Sequence, residues 1–274
     1  MKKGRDLELL HPGDVVAGRF HIIEPIGAGV IGQVFTADDE LSDRLAAVKV
    51  LRHRFLEMPR LEAYGSALPI APILRREARL LKRLEHHGIC QFLDAGEING
   101  CPWLATEFVG RKFFADLRPP LQPQQALRLV AGLLEPLTYL HSMGFVHRDI
   151  SPGNLGLRDD RSLVIIDFGL AQPMGRVGLA TVERFMGTRL FSPPECHSTT
   201  AFETILMPSA DVFSTARVLE WLVTGDGMRV SYDEPVTDLP EMLANIIHQA
   251  TSISPEARPQ SIRELLVACQ LALG

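Results

Sequence analysis

One stretch of the chain carries side chains that could do chemistry, and it reads His147-Arg148-Asp149-Ile150-Ser151-Pro152-Gly153-Asn154. Asp167-Phe168-Gly169 begins thirteen residues after its last residue. One Asp can accept a proton from a hydroxyl, and an Asn with a second Asp offers the oxygen ligands that Mg²⁺ prefers. A base beside such a metal site is the equipment of phosphoryl transfer. This spacing is far more specific than an isolated His-Arg-Asp triplet.

A glycine-rich run lies near the N-terminus and reads Gly27-Ala28-Gly29-Val30-Ile31-Gly32. Glycine lets the backbone approach phosphate oxygens without a Cβ in the way. A dinucleotide-binding fold requires a helix directly after the third glycine, but Val34-Phe35-Thr36 is β-rich. The run therefore predicts a loop between two strands, which either covers phosphates or is an ordinary glycine turn.

Lys49 lies at the end of an apolar segment, residues 45–50, that is typical of a strand. Its ammonium group either reaches solvent from the strand end or contacts phosphate groups. The leucine spacing over residues 74–84 predicts an amphipathic helix, and Glu77 falls on its apolar face. A charge on that face needs a partner, and Lys49 can supply it.

Two other glutamates, Glu57 and Glu62, are alternative partners for Lys49. Both lie in a stretch that contains Pro59, Gly65 and Pro69. Such a stretch is a poor candidate for a helix. We therefore interpret residues 56–72 as an insertion before the helix that carries Glu77.

The remaining segments predict two further strands and then a mostly helical region. Residues 89–93 and 103–106 are typical of strands, and Asn99-Gly100 between them is a hairpin signal. Pro123 begins one long amphipathic helix that ends near His141. His86-His87-Gly88 could bind a metal, but the stronger interpretation is the C-cap region of the preceding helix.

The order of these features resembles the protein kinase family, from about Phe20 to Leu273. The resemblance implies an α+β, two-lobed fold with ATP in the cleft. It has a small N-terminal lobe with an antiparallel sheet and one helix, and a larger, mainly helical C-terminal lobe. The implied boundaries are a leader over 1–19, an N-lobe over about 20–106, a hinge at 107–110 and a C-lobe over about 111–273.

The resemblance also implies roles for individual residues. Asp149 is the catalytic base, Lys49 is held by Glu77 and contacts the α- and β-phosphates, and Asn154 and Asp167 bind Mg²⁺. His147 is then structural rather than a general base. The implied nucleotide-binding positions, besides Lys49, are Ile26, Gly27, Ala28, Gly29, Val30, Ile31, Gly32, Gln33 and Val34 around the phosphates, and Ala47, Thr106, Glu107, Val109 and Gly156 around the adenine.

The segment from Asp167 to Glu195 resembles a kinase activation segment. It carries Gly187-Thr188, typical of the Ser/Thr branch, and closes with Ser192-Pro193-Pro194-Glu195. Arg148 offers a cation that a phosphorylated residue could pair with. Thr181 is the candidate phosphosite, and the alternative is an ordinary solvent-facing threonine.

Two later residues complete the resemblance, both with structural roles. Asp211 matches the Asp that begins a buried central helix and hydrogen-bonds the backbone of the catalytic loop. Arg258 matches the Arg that pairs with Glu195 inside the large lobe, where losing one partner of a buried pair is costly.

Two positions depart from the family pattern. Ser151 stands where Ser/Thr kinases usually have a lysine that steadies the γ-phosphate, and Gly156 stands where a large aliphatic residue usually forms the floor of the adenine site. These departures motivate an alternative, a pseudokinase or weakly active nucleotide-binding scaffold. A small-molecule kinase of the aminoglycoside-phosphorylating type is a third hypothesis, but such enzymes lack the Gly-Thr and Pro-Pro-Glu segment.

Composition argues against a nucleic-acid-binding, lipid-binding, secreted or membrane-spanning protein. The 274 residues carry a net charge of −5, with 46% hydrophobic and 22% charged residues. This is an ordinary globular composition, and it gives no reason to expect nucleic acid or anionic lipid as partners. The four cysteines form no C-x-x-C pair. We expect a cytoplasmic protein with reduced thiols, no secretory signal and no membrane-spanning segment in this chain, and with a protein as its substrate.

Overall fold

The structure is a computed structural model, and it describes residues 10–28, 32–52, 71–175, 190–196, 207–225 and 239–273. The chain divides into two compact units. We call residues 1–85 with 90–109 the sheet unit, and residues 86–89 with 110–274 the helical unit. A sheet-rich unit with one helix and a larger helical unit were both predicted from the sequence.

The sheet unit contains, among the described residues, one antiparallel sheet of six strands in the order β1-β2-β3-β4-β6-β5. Its strands are β1 (Val15–Val16), β2 (Phe20–Ala28), β3 (Gly32–Asp39), β4 (Arg44–Leu51), β5 (Phe92–Ile98) and β6 (Cys101–Glu107). Helix α1 spans Ala71–Leu81 and packs on β5 and β6. The turn predicted at Asn99-Gly100 joins β5 to β6, and both residues have the positive φ angles that a type I′ turn requires.

The core of the sheet unit is built by side chains that alternate along these strands, and Phe20 meets Trp103 edge to face at 5.9 Å. Leu10 and Val16 are buried in the same core, and β1 pairs with β2. Part of the segment predicted as a polar leader therefore belongs to the sheet unit. The sequence signal for β1 is weak because its two valines follow a turn-rich stretch.

The helical unit is built around helix α4 (Ser209–Thr224), of which nearly every side chain is buried. The other α-helices among its described residues are α2 (Pro123–Ala131), α3 (Leu134–Ser142), α5 (Glu241–Ala250) and α6 (Ile262–Leu273). Its short strands are β7 (Lys112–Phe113), β8 (Phe145–Val146), β9 (Leu155–Leu157), β10 (Leu163–Ile165) and β11 (Gln172–Pro173). Among the described residues, no helix combines the length and hydropathy needed to cross a membrane.

One predicted helix is two helices. The segment that begins at Pro123 breaks at Gly132-Leu133, between α2 and α3. Pro136 has no N–H to donate to the carbonyl of Gly132, and a proline ring also crowds the carbonyl four residues earlier. The prediction of one continuous helix was wrong because the leucine periodicity was weighed above this proline.

The borders of α1 also differ from the prediction. Pro72, predicted to lie before the helix, is in its first turn, where proline is tolerated. The helix ends at Leu81, so the interpretation of His86-His87-Gly88 as its C-cap was wrong. These residues belong to the helical unit, where Ile89 bridges Ile165 instead of starting a strand.

Asp39 anchors the turn between β3 and β4 through an ion pair with Arg19. Arg19 donates to both carboxylate oxygens of Asp39, at 2.5 and 2.8 Å, and Ser42 Oγ donates at 2.7 Å. The hydrogen bond from Arg19 is the main cause that holds the pKa of the Asp39 carboxyl well below its ordinary value. Folding therefore favours the ionised form of Asp39.

This pair predicts an acid-dependent loss of stability. The stability it contributes is complete above the unfolded-state pKa, about 4, and is lost as pH falls through the lower folded-state pKa. Arg19→Met should therefore lower the free energy of unfolding most at neutral pH, with a difference from wild type that shrinks below about pH 4. Urea titrations from acid to neutral pH measure this, and Arg44→Met on the exposed end of β4 is the control. A constant difference across that range would contradict the account.

Candidate active site

The backbone of the predicted catalytic loop is held by Asp211, in the first turn of α4. The fully buried carboxylate accepts hydrogen bonds from the amides of His147 and Arg148, each at 2.8 Å, and contacts His141 Nε2 at 2.7 Å. Burial alone would raise the pKa of Asp211, but these bonds and the histidine charges together lower it. The predicted bond between Asp211 and the loop backbone is confirmed.

This anchoring fixes an unusual backbone conformation. Arg148 has a φ angle of 71°, which is uncommon for a residue other than glycine. Strained backbone persists where surrounding bonds determine it, and it clusters at functional sites. The two bonds to Asp211 supply that constraint on the residue directly before Asp149.

Asp149 and Asn154 meet within the loop. Asn154 Nδ2 donates to Asp149 Oδ2 at 2.7 Å and to the Asp149 carbonyl at 2.9 Å. The loop closes in a single 3₁₀ turn over Pro152–Asn154. This arrangement orients one carboxylate oxygen of Asp149, as a base that must receive a proton at a defined position requires.

His147 is a structural residue in this loop. Its ring is fully buried, accepts the Asp149 amide at Nδ1 over 3.2 Å and lies against Phe168 edge to face at 4.8 Å. Burial lowers the pKa of His147. A neutral imidazole without solvent access suits packing better than proton transfer, which supports the predicted choice of Asp149 over His147.

Asn154 and Asp167 lie at the same edge of a small sheet. Asn154 precedes β9 and Asp167 follows β10, and these strands are antiparallel with Leu155 opposite Ile165. The amide of Ile166 donates to the Asn154 carbonyl at 3.1 Å, and Asp167 Oδ1 accepts the Gly169 amide at 2.9 Å. An amide oxygen and a carboxylate at one edge are a donor set that fits Mg²⁺.

The sheet unit contains the predicted pair of Lys49 and Glu77. Lys49 Nζ lies 3.0 Å from Glu77 Oε2, which joins β4 to α1. The Glu77 side chain is 2% exposed and that of Lys49 is 18% exposed. A carboxylate on the apolar face of a helix thus has the partner that its position demanded. Glu57 and Glu62, the alternative partners, lie outside the described residues.

Several of the predicted phosphate-binding residues lie on the two strands that flank the glycine run. Strands β2 and β3 pair with Gly27 opposite Val34 and Ala28 opposite Gln33, while residues 29–31 lie outside the described residues. A Cβ on Gly32 would lie 2.8 Å from the Val50 carbonyl, so this glycine also serves close strand packing. Ile26 lies on β2 beside them.

The predicted adenine-binding residues fall on adjacent strands and on the segment that follows. Ala47 on β4 lies directly opposite Thr106 on β6. Glu107 ends β6, and Val109 is the last residue of the sheet unit. Gly156 lies in the helical unit, on β9, opposite Val164.

Two ion pairs in the helical unit support the C-terminal end of the predicted activation segment. Arg258 donates to both carboxylate oxygens of Glu195, at 2.6 and 2.8 Å, as predicted. The second pair was missed: Arg217 and Glu220 bond within α4, and Arg217 Nε donates to the Leu190 carbonyl at 3.0 Å. The available signal was an Arg and a Glu three residues apart in an otherwise apolar helix. Thr181 and Gly187-Thr188 lie outside the described residues.

The four cysteines carry no chemistry in this arrangement. All four are buried, including Cys196 next to Glu195. Burial raises the pKa of the Cys269 thiol to about 12. A buried, protonated thiol is unreactive, so Cys269 is not a candidate for redox or nucleophilic chemistry.

Comparison with known proteins gives the family. Residues 20–269 match the family model described as the protein kinase domain, and the chain belongs to this family. Among its relatives, the serine/threonine-protein kinase PrkC of Bacillus subtilis is 25% identical over 92% of the chain. The serine/threonine-protein kinase pkn2 of Myxococcus xanthus is 31% identical over 66% of it.

The same comparison sets the extent of the likeness. The chain spans 40% of the length of PrkC and 22% of that of pkn2. The crystal structure of the Mycobacterium tuberculosis PknI kinase domain matches with a TM-score of 0.69 and 23% identity, over 96% of this chain and 99% of that one. The two-lobed kinase fold is thereby confirmed.

Proposed function

We propose that the chain is an ATP-dependent serine/threonine protein kinase, which transfers the γ-phosphoryl group of ATP to hydroxyl groups of a protein. The observation that carries this proposal is the bond from Asn154 Nδ2 to Asp149 Oδ2 in a loop anchored by Asp211. The names of the relatives support the serine/threonine class.

Each residue has a distinct task in this proposal. Asp149 orients the acceptor hydroxyl and takes its proton, and Lys49, held by Glu77, binds the α- and β-phosphates. Asn154 and Asp167 hold Mg²⁺, which neutralises phosphate charge when bound. Catalysis here is mainly positioning and electrostatic stabilisation, since the transferred group needs little covalent assistance.

The wider setting is also part of the proposal. A protein is the substrate, the cytoplasm is the compartment, and the activation segment is a site of autophosphorylation with Thr181 as its candidate. Arg148 is the cation nearest in sequence to Asp149 that a phosphate on this segment could pair with.

Phosphosite mapping by mass spectrometry after incubation with Mg·ATP and a generic protein tests this function. The expected result is phosphoserine and phosphothreonine on the substrate or on the chain itself. A chain that binds ATP and forms no phosphosite is a scaffold, and one that phosphorylates only an aminoglycoside is a small-molecule kinase. Either result would reject the proposal.

Ser151 offers a gain-of-function prediction. Its side chain is buried beside Asp149 at the position where the family pattern has lysine. Ser151→Lys should raise kcat by about ten- to a hundredfold, since a charge-assisted hydrogen bond to the γ-phosphate contributes about 1.5–3 kcal/mol. Steady-state kinetics against Ser151→Ala separate a gained ammonium from a lost hydroxyl. An unchanged kcat in the lysine variant would show that another group already does this work.

Gly156 predicts a change in affinity rather than in rate. A leucine there adds apolar surface to the adenine site that the family pattern implies. Gly156→Leu should tighten ATP binding by about tenfold, which corresponds to burial of part of one leucine side chain. Calorimetric titration with ATP measures it, and an affinity equal to that of wild type counts against this placement of the adenine.

A further inference from the structure

Two imidazoles and a carboxylate meet on the helical unit, and none of the three residues is assigned a role in phosphoryl transfer. One ligand atom from each of His86, His87 and Glu135 lies within 4.8 Å of those of the other two. We propose that these three side chains form a binding site for one divalent transition-metal ion of the Zn²⁺ type. Among the described residues, this is the group of three or more such side chains that comes close enough for that role.

The donor set selects the class of metal. Imidazole nitrogens suit Zn²⁺ and its neighbours in the first transition row, whereas Mg²⁺ and Ca²⁺ prefer oxygen alone. Two histidines with one glutamate are also a known ligand set for zinc, with a fourth position left to water. The exposed side chains of His87 and Glu135 leave room for that fourth ligand.

The distances are close to those a bound ion needs. Ligand atoms about 2.1 Å from a tetrahedral ion lie about 3.4 Å from each other. His87 Nε2 and Glu135 Oε2 are 3.6 Å apart. The separation of these two ligand atoms is thus close to that expected around a tetrahedral ion.

The backbone that carries the histidines is fixed in place. Ile165 donates to the Gly88 carbonyl at 2.9 Å, and Arg158 Nη1 donates to the His87 carbonyl at 2.7 Å. Gly88 packs so closely on α3 that a Cβ there would lie 2.9 Å from Pro136 Cγ. The helix that carries Glu135 is therefore held directly against the histidine segment.

The rings themselves are also ordered. The His86 ring stacks on His87 at 4.5 Å and on Tyr139 at 5.2 Å, with interplanar angles of 24° and 28°. The contact with Tyr139 lowers the side-chain freedom of His86 that binding would otherwise remove. The stack of His86 on His87 has to open, because each imidazole binds an ion in the plane of its own ring. Ligand side chains held by neighbours bind a metal better than free ones.

One existing bond opposes metal binding. The Gly88 amide donates to His86 Nδ1 at 3.0 Å, which places the proton of the neutral ring on Nε2. An ion that binds Nδ1 replaces this hydrogen bond, and an ion that binds Nε2 requires the proton to move. We therefore expect moderate affinity, with His87 and Glu135 as the ligands that need no such exchange.

Calorimetric titration of the whole chain with Zn²⁺ in a non-chelating buffer tests the site. His87→Ala and Glu135→Gln should each weaken Zn²⁺ binding at least about tenfold. Loss of a residue that only orients a ligand already costs about that much affinity, and loss of the ligand itself should cost more. His21→Ala is the control, because His21 forms an exposed pair with Glu40 at 3.4 Å that resembles the one between His87 and Glu135.

The expected result is one Zn²⁺ bound with moderate affinity, which depends on His87 and Glu135, does not depend on His21, and resists millimolar Mg²⁺. Absence of binding, equal affinity in His87→Ala, or displacement by Mg²⁺ would overturn the proposal. Gly88→Ala adds a test that leaves every ligand in place. It should weaken binding because its methyl group pushes the histidine segment away from Pro136.

Discussion

Replacing Asp149 with Asn is expected to lower kcat for phosphoryl transfer by about 10²–10⁴-fold, the usual contribution of a general base. The affinity for ATP should stay close to that of wild type. Asn can still accept the hydrogen bond from Asn154 Nδ2 through its amide oxygen, so the loop keeps its shape while the proton acceptor is lost. Steady-state kinetics and ATP titration measure the two quantities.

Asp160→Asn is the matched control for this variant. Asp160 lies in the turn between β9 and β10 of the same unit, is exposed, and accepts the Ser162 amide at 2.8 Å. The same change of carboxylate to amide there should leave kcat unaltered. If Asp149→Asn kept a kcat within a few-fold of wild type, Asp149 would not be the base.

Arg258→Met is expected to lower the free energy of unfolding by about 3–5 kcal/mol, the usual cost of leaving one partner of a buried pair. The Arg258 side chain is fully buried. Besides its bonds to Glu195, Arg258 donates hydrogen bonds to the carbonyls of Ser252 at 2.8 Å and Ile253 at 3.1 Å. Urea unfolding monitored by circular dichroism measures the loss.

A double variant separates the pair from simple loss of packing. Glu195→Leu with Arg258→Met removes both charges and should recover part of the stability, since an apolar pair of similar volume often matches a buried ion pair. Arg128→Met, at an exposed position on α2, is the control and should cost little. If Arg258→Met lowered the free energy of unfolding by less than about 1 kcal/mol, the pair would contribute no more than an exposed ion pair, which would contradict this prediction.

The parts of this protein that could be predicted are those where a residue type is dictated by its neighbours in sequence. Glu77 on the apolar face of an amphipathic helix demanded a cationic partner, and the structure places Lys49 at 3.0 Å. For Asp211 and Arg258 the resemblance to protein kinases implied structural bonds, and both bonds are present. Only for Glu77 did the local sequence pattern and the need for a partner charge give the answer without the resemblance.

The parts that could not be predicted depend on partners far away in the chain. Nothing near Arg217 in the sequence shows that its Nε donates a hydrogen bond to the carbonyl of Leu190, 27 residues earlier. The sequence pattern predicted that His86 and His87 end a helix. Their actual neighbour is the strand that contains Ile165, which follows almost eighty residues later, so no local signal revealed it. The break at Gly132-Leu133 is different, since Pro136 gave a local signal that the leucine pattern hid.

The most direct test of the account is transfer of label from ATP radiolabelled at the γ-phosphate to a generic protein substrate, with Mg²⁺, by wild type and by Asp149→Ala. The account predicts label on serine and threonine of the substrate with wild type, and none above background with Asp149→Ala. Label in neither sample, or equal label in both, would contradict the assignment of Asp149 and of the kinase activity itself.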